Sequence, residues 1–188
     1  GQTALGAAIN QELAAVNASM STYIADSEIS RFNDSRSTEA FGISEGMAEV
    51  VQRAHAISEA SSGAFDITVG PLVDAWGFGP AGAQEMPAVG FLEGLMEQVG
   101  YTKLHQEGLS LRKDVPKMRI DLSAIAKGWG VDQVAALLRA RSHRNFLVEI
   151  GGEVFASGHN REGDSWRLGI EKPKEGERDV SLVVSLHN

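Results

Sequence analysis

Two hydrophobic periodicities divide this chain, and their order limits the possible folds more than any other feature. Leu5, Ile9, Leu13, Val16 and Met20 fall on one helical stripe. Met47, Val50, Val51 and Ala54 form a second, started by Ser44 and stopped near Ser62-Gly63. Phe91, Leu92, Leu95, Met96 and Val99 form a third, closed by Gly100. The last third of the chain reads as strands: 145–150 and 153–156 around Gly151-Gly152, then 166–171 and 180–186. Helices early and a mostly antiparallel sheet late predict an α+β fold.

The segments between fill in the order. Ser, Asp and Asn crowd 21–33, which predicts turns and a short helix capped by Asp26 or Ser27. Pro71 suits the first turn of another short helix, ended by Gly77, Gly79 and Pro80. The Gly-, Ala- and Pro-rich stretch to Pro87 reads as a mobile loop. Residues 103–105 and 109–111 read as strands around Glu107-Gly108. With no internal repeat and no linker, residues 1–188 read as a single domain. The chain opens directly before a helical pattern and closes inside a strand pattern, so both ends read as cut.

Composition excludes several functions. The 188 residues carry a formal net charge of −8 and no Lys/Arg run, which argues against a nucleic-acid or anionic-membrane surface. The chain has no cysteine, hence no disulfide, thiolate nucleophile or zinc–sulfur site. No apolar run reaches the length of a membrane span. The five histidines, at 55, 105, 143, 159 and 187, show no metal-ligand spacing and read as surface or helix-end residues.

Chemistry concentrates in 118–132, Met-Arg-Ile-Asp-Leu-Ser-Ala-Ile-Ala-Lys-Gly-Trp-Gly-Val-Asp. A strand over 118–122 leads to Asp121, then Ser123 caps a helix whose first turns hold Ala124, Ala126, Gly128 and Gly130. Small residues allow close backbone approach, and helix-start N–H groups together with Lys127 favour an anion. The order fits a phosphate or pyrophosphate pocket and, on spacing alone, fits an ordinary strand-to-helix turn equally well. It is neither a Walker A loop nor a dinucleotide-binding glycine fingerprint.

Four segments taken together go further: 20–33, 65–79, 120–128 (Ile-Asp-Leu-Ser-Ala-Ile-Ala-Lys-Gly) and 148–154 (Val-Glu-Ile-Gly-Gly-Glu-Val). Their order and spacing resemble the ApbE-like FAD:protein FMN transferases. The resemblance implies a T-fold-like flavin transferase fold whose FAD-binding body fills 1–188. It implies an enzyme that takes FAD as substrate, moves FMN to a Thr or Ser of a target electron-transport flavoprotein and releases AMP. Mg2+ is the metal it implies, and the periplasm, with an inner-membrane anchor, the location. Carried over position by position, Tyr23, Ala64, Phe65, Asp66, Asp121 and Lys127 are expected to hold FAD, and Ala124 to give the metal its backbone carbonyl.

Two family features have no counterpart here: an initial strand with Met-Gly-Thr, and a later segment with a His and aspartate metal ligands. No catalytic residue is therefore expected within 1–188. A flavin-delivery protein and an FAD pyrophosphatase use the same pocket and are the alternatives. Trp76 and Phe78 are candidate flavin walls too, but without the family support of Tyr23 and Phe65 they are expected in the core. Asp26, Glu28 and Arg31 are expected to form a local capping and ion-pair group that steadies Tyr23.

Overall fold

The computed structural model describes residues 2–80, 82, 86–173 and 179–186. Parts of the loop expected before Pro87, and His187, lie outside the described residues. The described chain forms two compact units, Gly1–Ala126 and Lys127–Asn188.

In the first unit, α1 (Gln2–Met20), α2 (Glu28–Asp34) and α3 (Glu45–Ala60) follow the sequence stripes. Ser27 and Ser44 cap α2 and α3, their side-chain oxygens accepting from the N–H groups of Ser30 and Met47. Each such cap contributes about 1 kcal/mol. α4 (Gly70–Ala75) starts with Pro71 in its first turn, and α5 (Val89–Met96) follows the loop. β1 (Phe41–Gly42), β2 (Leu104–Glu107) and β3 (Ser110–Lys113) form a small antiparallel sheet in the order β1-β3-β2. Gly108 turns the β2–β3 hairpin at φ +57, where a side chain would be strained. Ile29 and Phe32 of α2, Met47, Val50 and Val51 of α3, and Leu111 of β3 are fully buried with Met118, Ile120 and Leu122. Burial of each such large side chain is worth about 1.5–3 kcal/mol.

The expected strand over 118–122 does not form. Its ladder is a single parallel bridge between Val69 and Arg119. Side chains do the holding instead. The Asn33 amide donates to the Ile120 carbonyl (2.9 Å) and accepts from the Ile120 N–H (2.7 Å). The Lys113 ammonium donates to the carbonyls of Phe32 (3.1 Å) and Met118 (3.0 Å) and lies 4.8 Å from the Phe32 ring centroid.

Glu28 also differs from expectation. It is buried, and its carboxylate accepts from the hydroxyls of Ser19 (2.8 Å) and Ser44 (2.7 Å) and from the Ser44 N–H. It therefore joins the end of α1 to the cap of α3. Its partners come from other elements because α2 is packed on both sides, which periodicity within 26–31 does not reveal.

The second unit begins within α6 (Ser123–Ala140), whose buried stripe is Gly130, Val131, Val134, Ala135 and Leu138. The helix ends with Ser142 at φ +66 and His143 donating its N–H back to the Leu138 carbonyl, a left-handed cap. β4 (Phe146–Ile150) pairs antiparallel with β5 (Glu153–Ser157) through a two-residue turn. Gly151 (φ +58) and Gly152 (φ +97) supply the positive φ values that such a turn needs at both centres. β6 (Trp166–Glu171) pairs antiparallel with β7 (Val180–Leu186), and the Trp166 indole donates to the Ser157 carbonyl (3.0 Å).

Candidate functional site

Tyr23 lies in the turn between α1 and α2 and is 68% exposed. Its hydroxyl donates to the Phe78 carbonyl (3.1 Å), so the ring is held while its surface stays open. Trp76 (48% exposed) and Phe78 (77%) are also at the surface, against the expectation that they pack in the core. The cause is local. α4 stops at Ala75, Gly77 takes φ +77, and the chain swings outward while the Phe78 N–H closes on the Val73 carbonyl.

The triplet Ala64, Phe65 and Asp66 follows the left-handed exit of α3, where Ser62 and Gly63 both have positive φ. Ala64 is exposed; Phe65 and Asp66 are half-buried. Asp66 is fully engaged in shaping its own loop. One oxygen accepts from the N–H and the hydroxyl of Thr68 (both 2.7 Å), and the other accepts from the Tyr101 N–H (2.8 Å). The Thr68 hydroxyl in turn accepts from the Gly100 N–H (2.7 Å). This network fixes the approach to Ile67, whose carbonyl accepts the Asp121 N–H (2.8 Å).

Asp121 and the helix start are built differently from expectation. Ser123 is the first residue of α6, not its cap. The Asp121 carboxylate accepts the Ser123 N–H (2.7 Å), a charge well suited to a helix N-terminus. Asp121 is half-buried, while Ser123 and Ala124 are exposed. Asp74, at the end of α4, feels the same charge. Burial raises its carboxyl above the usual carboxylate range, Arg119 opposes that, and Asp121 reinforces it. Arg119 ties the region together, its guanidinium 3.3 Å from Asp74 and 3.2 Å from Asp34. Thus Asp66, Ile67, Asp74 and Asp121 share one neighbourhood, and Tyr23 meets the outward end of α4 that follows Asp74.

Lys127 lies four residues after Ser123 along α6. Within the second unit its ammonium donates to the Gly151 carbonyl (3.2 Å) and pairs with Glu153 (3.4 Å) at the β4–β5 turn. Both side chains are about half exposed, so this pair contributes no more than about 1 kcal/mol. Such a cation can be redirected to a ligand at little cost.

Magnesium takes an octahedral oxygen shell. Among the described residues no group of three or more His, Asp or Glu is arranged to hold a cation, and Ala124 offers one carbonyl. The described side chains do not make a magnesium shell. Of the histidines, His105 pairs with Asp114 at the surface (2.8 Å). His55 differs from the expected surface role: its Nε2 is buried without a partner, and burial lowers its pKa despite Glu59 and Asp66. It borders a recess of about 1040 Å³ between α3 and the β2–β3 hairpin, also lined by Glu45, Glu49, Gln52 and His105. That recess includes none of the residues expected to hold FAD. Among the described residues, no helix is long and apolar enough to cross a membrane.

Nothing in the sequence singles out Asn33, although it lies inside the 20–33 segment. Its partner is 87 residues away, and no periodicity signals such a pairing.

The exposed Tyr23 and the carboxylate-led start of α6 belong to the first unit and the lightly held Lys127 to the second, in an α+β architecture. A model of the ApbE family matches residues 2–188, and the chain belongs to that family. Among curated relatives, the FAD:protein FMN transferase of Vibrio cholerae is 45% identical over 177 residues, covering 94% of this chain and 53% of its own length. That of Escherichia coli is 37% identical over 186 residues, covering 95% and 52%. The solved flavin transferase ApbE from Vibrio cholerae superimposes with a TM-score of 0.93 at 43% identity, covering 98% of this chain and 60% of that one. The chain thus spans about half the length of the curated relatives it matches.

Proposed function

We propose that residues 1–188 are the FAD-holding body of an FAD:protein FMN transferase. In the reaction, a Thr or Ser hydroxyl of an acceptor flavoprotein attacks the FMN phosphorus of FAD. The new O–P bond forms as the pyrophosphate P–O bond breaks; AMP leaves and the hydroxyl proton is released. Catalysis of such a step is mainly positioning and charge stabilisation.

Tyr23 is the exposed wall for the flavin ring, and the half-buried Phe65 is the second aromatic assigned to it. Ala64 leaves room at the exit of α3, and Asp66 sets the loop that carries Ile67 and, through it, Asp121. Lys127 neutralises phosphate charge. A magnesium ion would add charge stabilisation, with the Ala124 carbonyl as one of its oxygen ligands. We further assign the protein to the periplasm, anchored at the inner membrane, as the sequence resemblance implies.

The observation that carries this reading is the open, hydrogen-bonded setting of Tyr23 within a family match covering residues 2–188. The experiment incubates the intact protein with FAD, magnesium and a Thr-bearing acceptor peptide. Covalent flavin fluorescence on the peptide with equimolar AMP is the expected result. FMN and AMP free in solution, with no labelled peptide, would mean a pyrophosphatase; binding without AMP would mean a delivery protein.

A further inference from the structure

We infer that Asn33 is a positioning residue for the FAD site, acting through Asp121. This rests on Asp121 belonging to that site. Among the described residues, the segment that delivers Asp121 has little ladder of its own, namely the Val69–Arg119 bridge and the Asp121 N–H on Ile67. The residue immediately before Asp121 is fixed by one side chain. The Asn33 amide meets both backbone groups of Ile120, at 2.9 and 2.7 Å, as a neighbouring strand would. Because one partner is a carbonyl and the other an N–H, the orientation of the amide is fixed.

Asn33 is itself anchored. It is buried at the end of α2, next to Phe32, whose carbonyl accepts from Lys113. The same ammonium holds the Met118 carbonyl, two residues before Ile120. Lys113 therefore binds the same two segments that Asn33 joins. α2 thereby sets the height at which the chain enters α6, and with it the place of the Asp121 carboxylate. A shift of about 1 Å in a positioned group is enough to cost on the order of a hundredfold in rate.

A double-mutant cycle in the intact protein tests this, with Asn33→Ala, Asp121→Asn and the pair. AMP release gives kcat/KM, FAD titration gives Kd, and thermal melting gives Tm. With Asp121 present, Asn33→Ala is expected to lower kcat/KM by tenfold or more. In the Asp121→Asn background the same change is expected to cost less than threefold, while Tm falls equally in both. Equal losses of kcat/KM in the two backgrounds would overturn the inference and leave the FAD site standing. If Asp121→Asn alone changes neither kcat/KM nor Kd by more than twofold, the site assignment fails first. If Asn33→Ala does not fold, Asn33→Asp, which keeps an acceptor for the Ile120 N–H, enters the same cycle. If Asp121→Asn has no measurable turnover, the cycle is read in the Kd of FAD, with the same criterion.

Discussion

Lys127 and Lys103 look alike in the sequence, each a lysine near an element end, yet their surroundings separate them. The Lys103 ammonium donates to the carbonyls of Glu97 (2.9 Å) and Val99 (2.8 Å) and closes the end of α5. Removing it damages the fold locally, so it is a poor neutral control. Lys117 is exposed and serves better. A charge-assisted bond from Lys127 to phosphate is worth about 1.5–3 kcal/mol, more than the half-exposed contacts it gives up. Lys127→Ala is expected to lower kcat/KM for AMP release by roughly tenfold to somewhat over a hundredfold, and Lys117→Ala by less than twofold. Equal rates would remove the phosphate site from α6. Tyr23 gives a second test. Its ring is 68% exposed, so Tyr23→Ala is expected to leave Tm nearly unchanged. Loss of a stacking wall worth about 0.5–1.5 kcal/mol raises the Kd for FAD roughly two- to thirteenfold, measured by flavin fluorescence.

At the scale of elements, helix ends carry more of the organisation than helix faces do. Ser44→Ala removes one cap and is expected to cost about 1 kcal/mol. Glu28→Ala leaves two hydroxyls and one N–H without their shared carboxylate and is expected to cost about 2–4 kcal/mol. Urea denaturation of both variants ranks them; a reversed order would show that Glu28 does not link α1 to α3. α4 is held to the Asp121 segment by close backbone approach. A Cβ on Gly70 would lie 2.8 Å from the Arg119 carbonyl oxygen. Gly70→Ala therefore displaces backbone, with an expected loss of about 1–3 kcal/mol in the same titration.

Across the whole molecule, Lys113 of the core departs far from the ordinary titration of a lysine. Burial, with Arg36 and Arg119 nearby, lowers its pKa to about 8; Asp34 opposes the shift. A neutral amine keeps two N–H donors for its two carbonyl partners. The folded state therefore releases this proton near pH 8, while the unfolded chain keeps it to about pH 10.4. Between those values the unfolded chain binds more protons, so stability contributed by Lys113 rises with pH. The stability of the wild type relative to Lys113→Met is expected to increase from pH 7 to pH 10, by as much as about 3 kcal/mol. A flat difference across that range would show that the ammonium is not desolvated. Ligand linkage is also expected at this scale. FAD at a hundred times its Kd adds about 2.7 kcal/mol of stability. The rise in Tm on thermal melting should exceed that given by equal riboflavin.

Element identity was legible in the sequence wherever it depends on neighbours a few residues apart. Stripes at helical spacing gave α1 and α3, and α5 only as far as Met96 rather than Val99; Ser44 gave one cap, Asp26 or Ser27 the other, which the structure resolves to Ser27; Gly151-Gly152 gave the β4–β5 turn. Those signals are local because helix stripes, caps and tight turns are closed by hydrogen bonds and packing within a few residues. The ordered motifs likewise marked Tyr23, Asp66, Asp121 and Lys127. Tertiary structure alone decided how those residues are held. Residues 118–122 looked like a strand because they are apolar, but their partners are the amide of Asn33 and the ammonium of Lys113, drawn from other elements. Trp76 and Phe78 looked like core because they are aromatic, but Gly77 turns them to the surface. A side chain's type limits what it can do; only the packed chain fixes which distant backbone group it meets, because that pairing carries no period along the sequence.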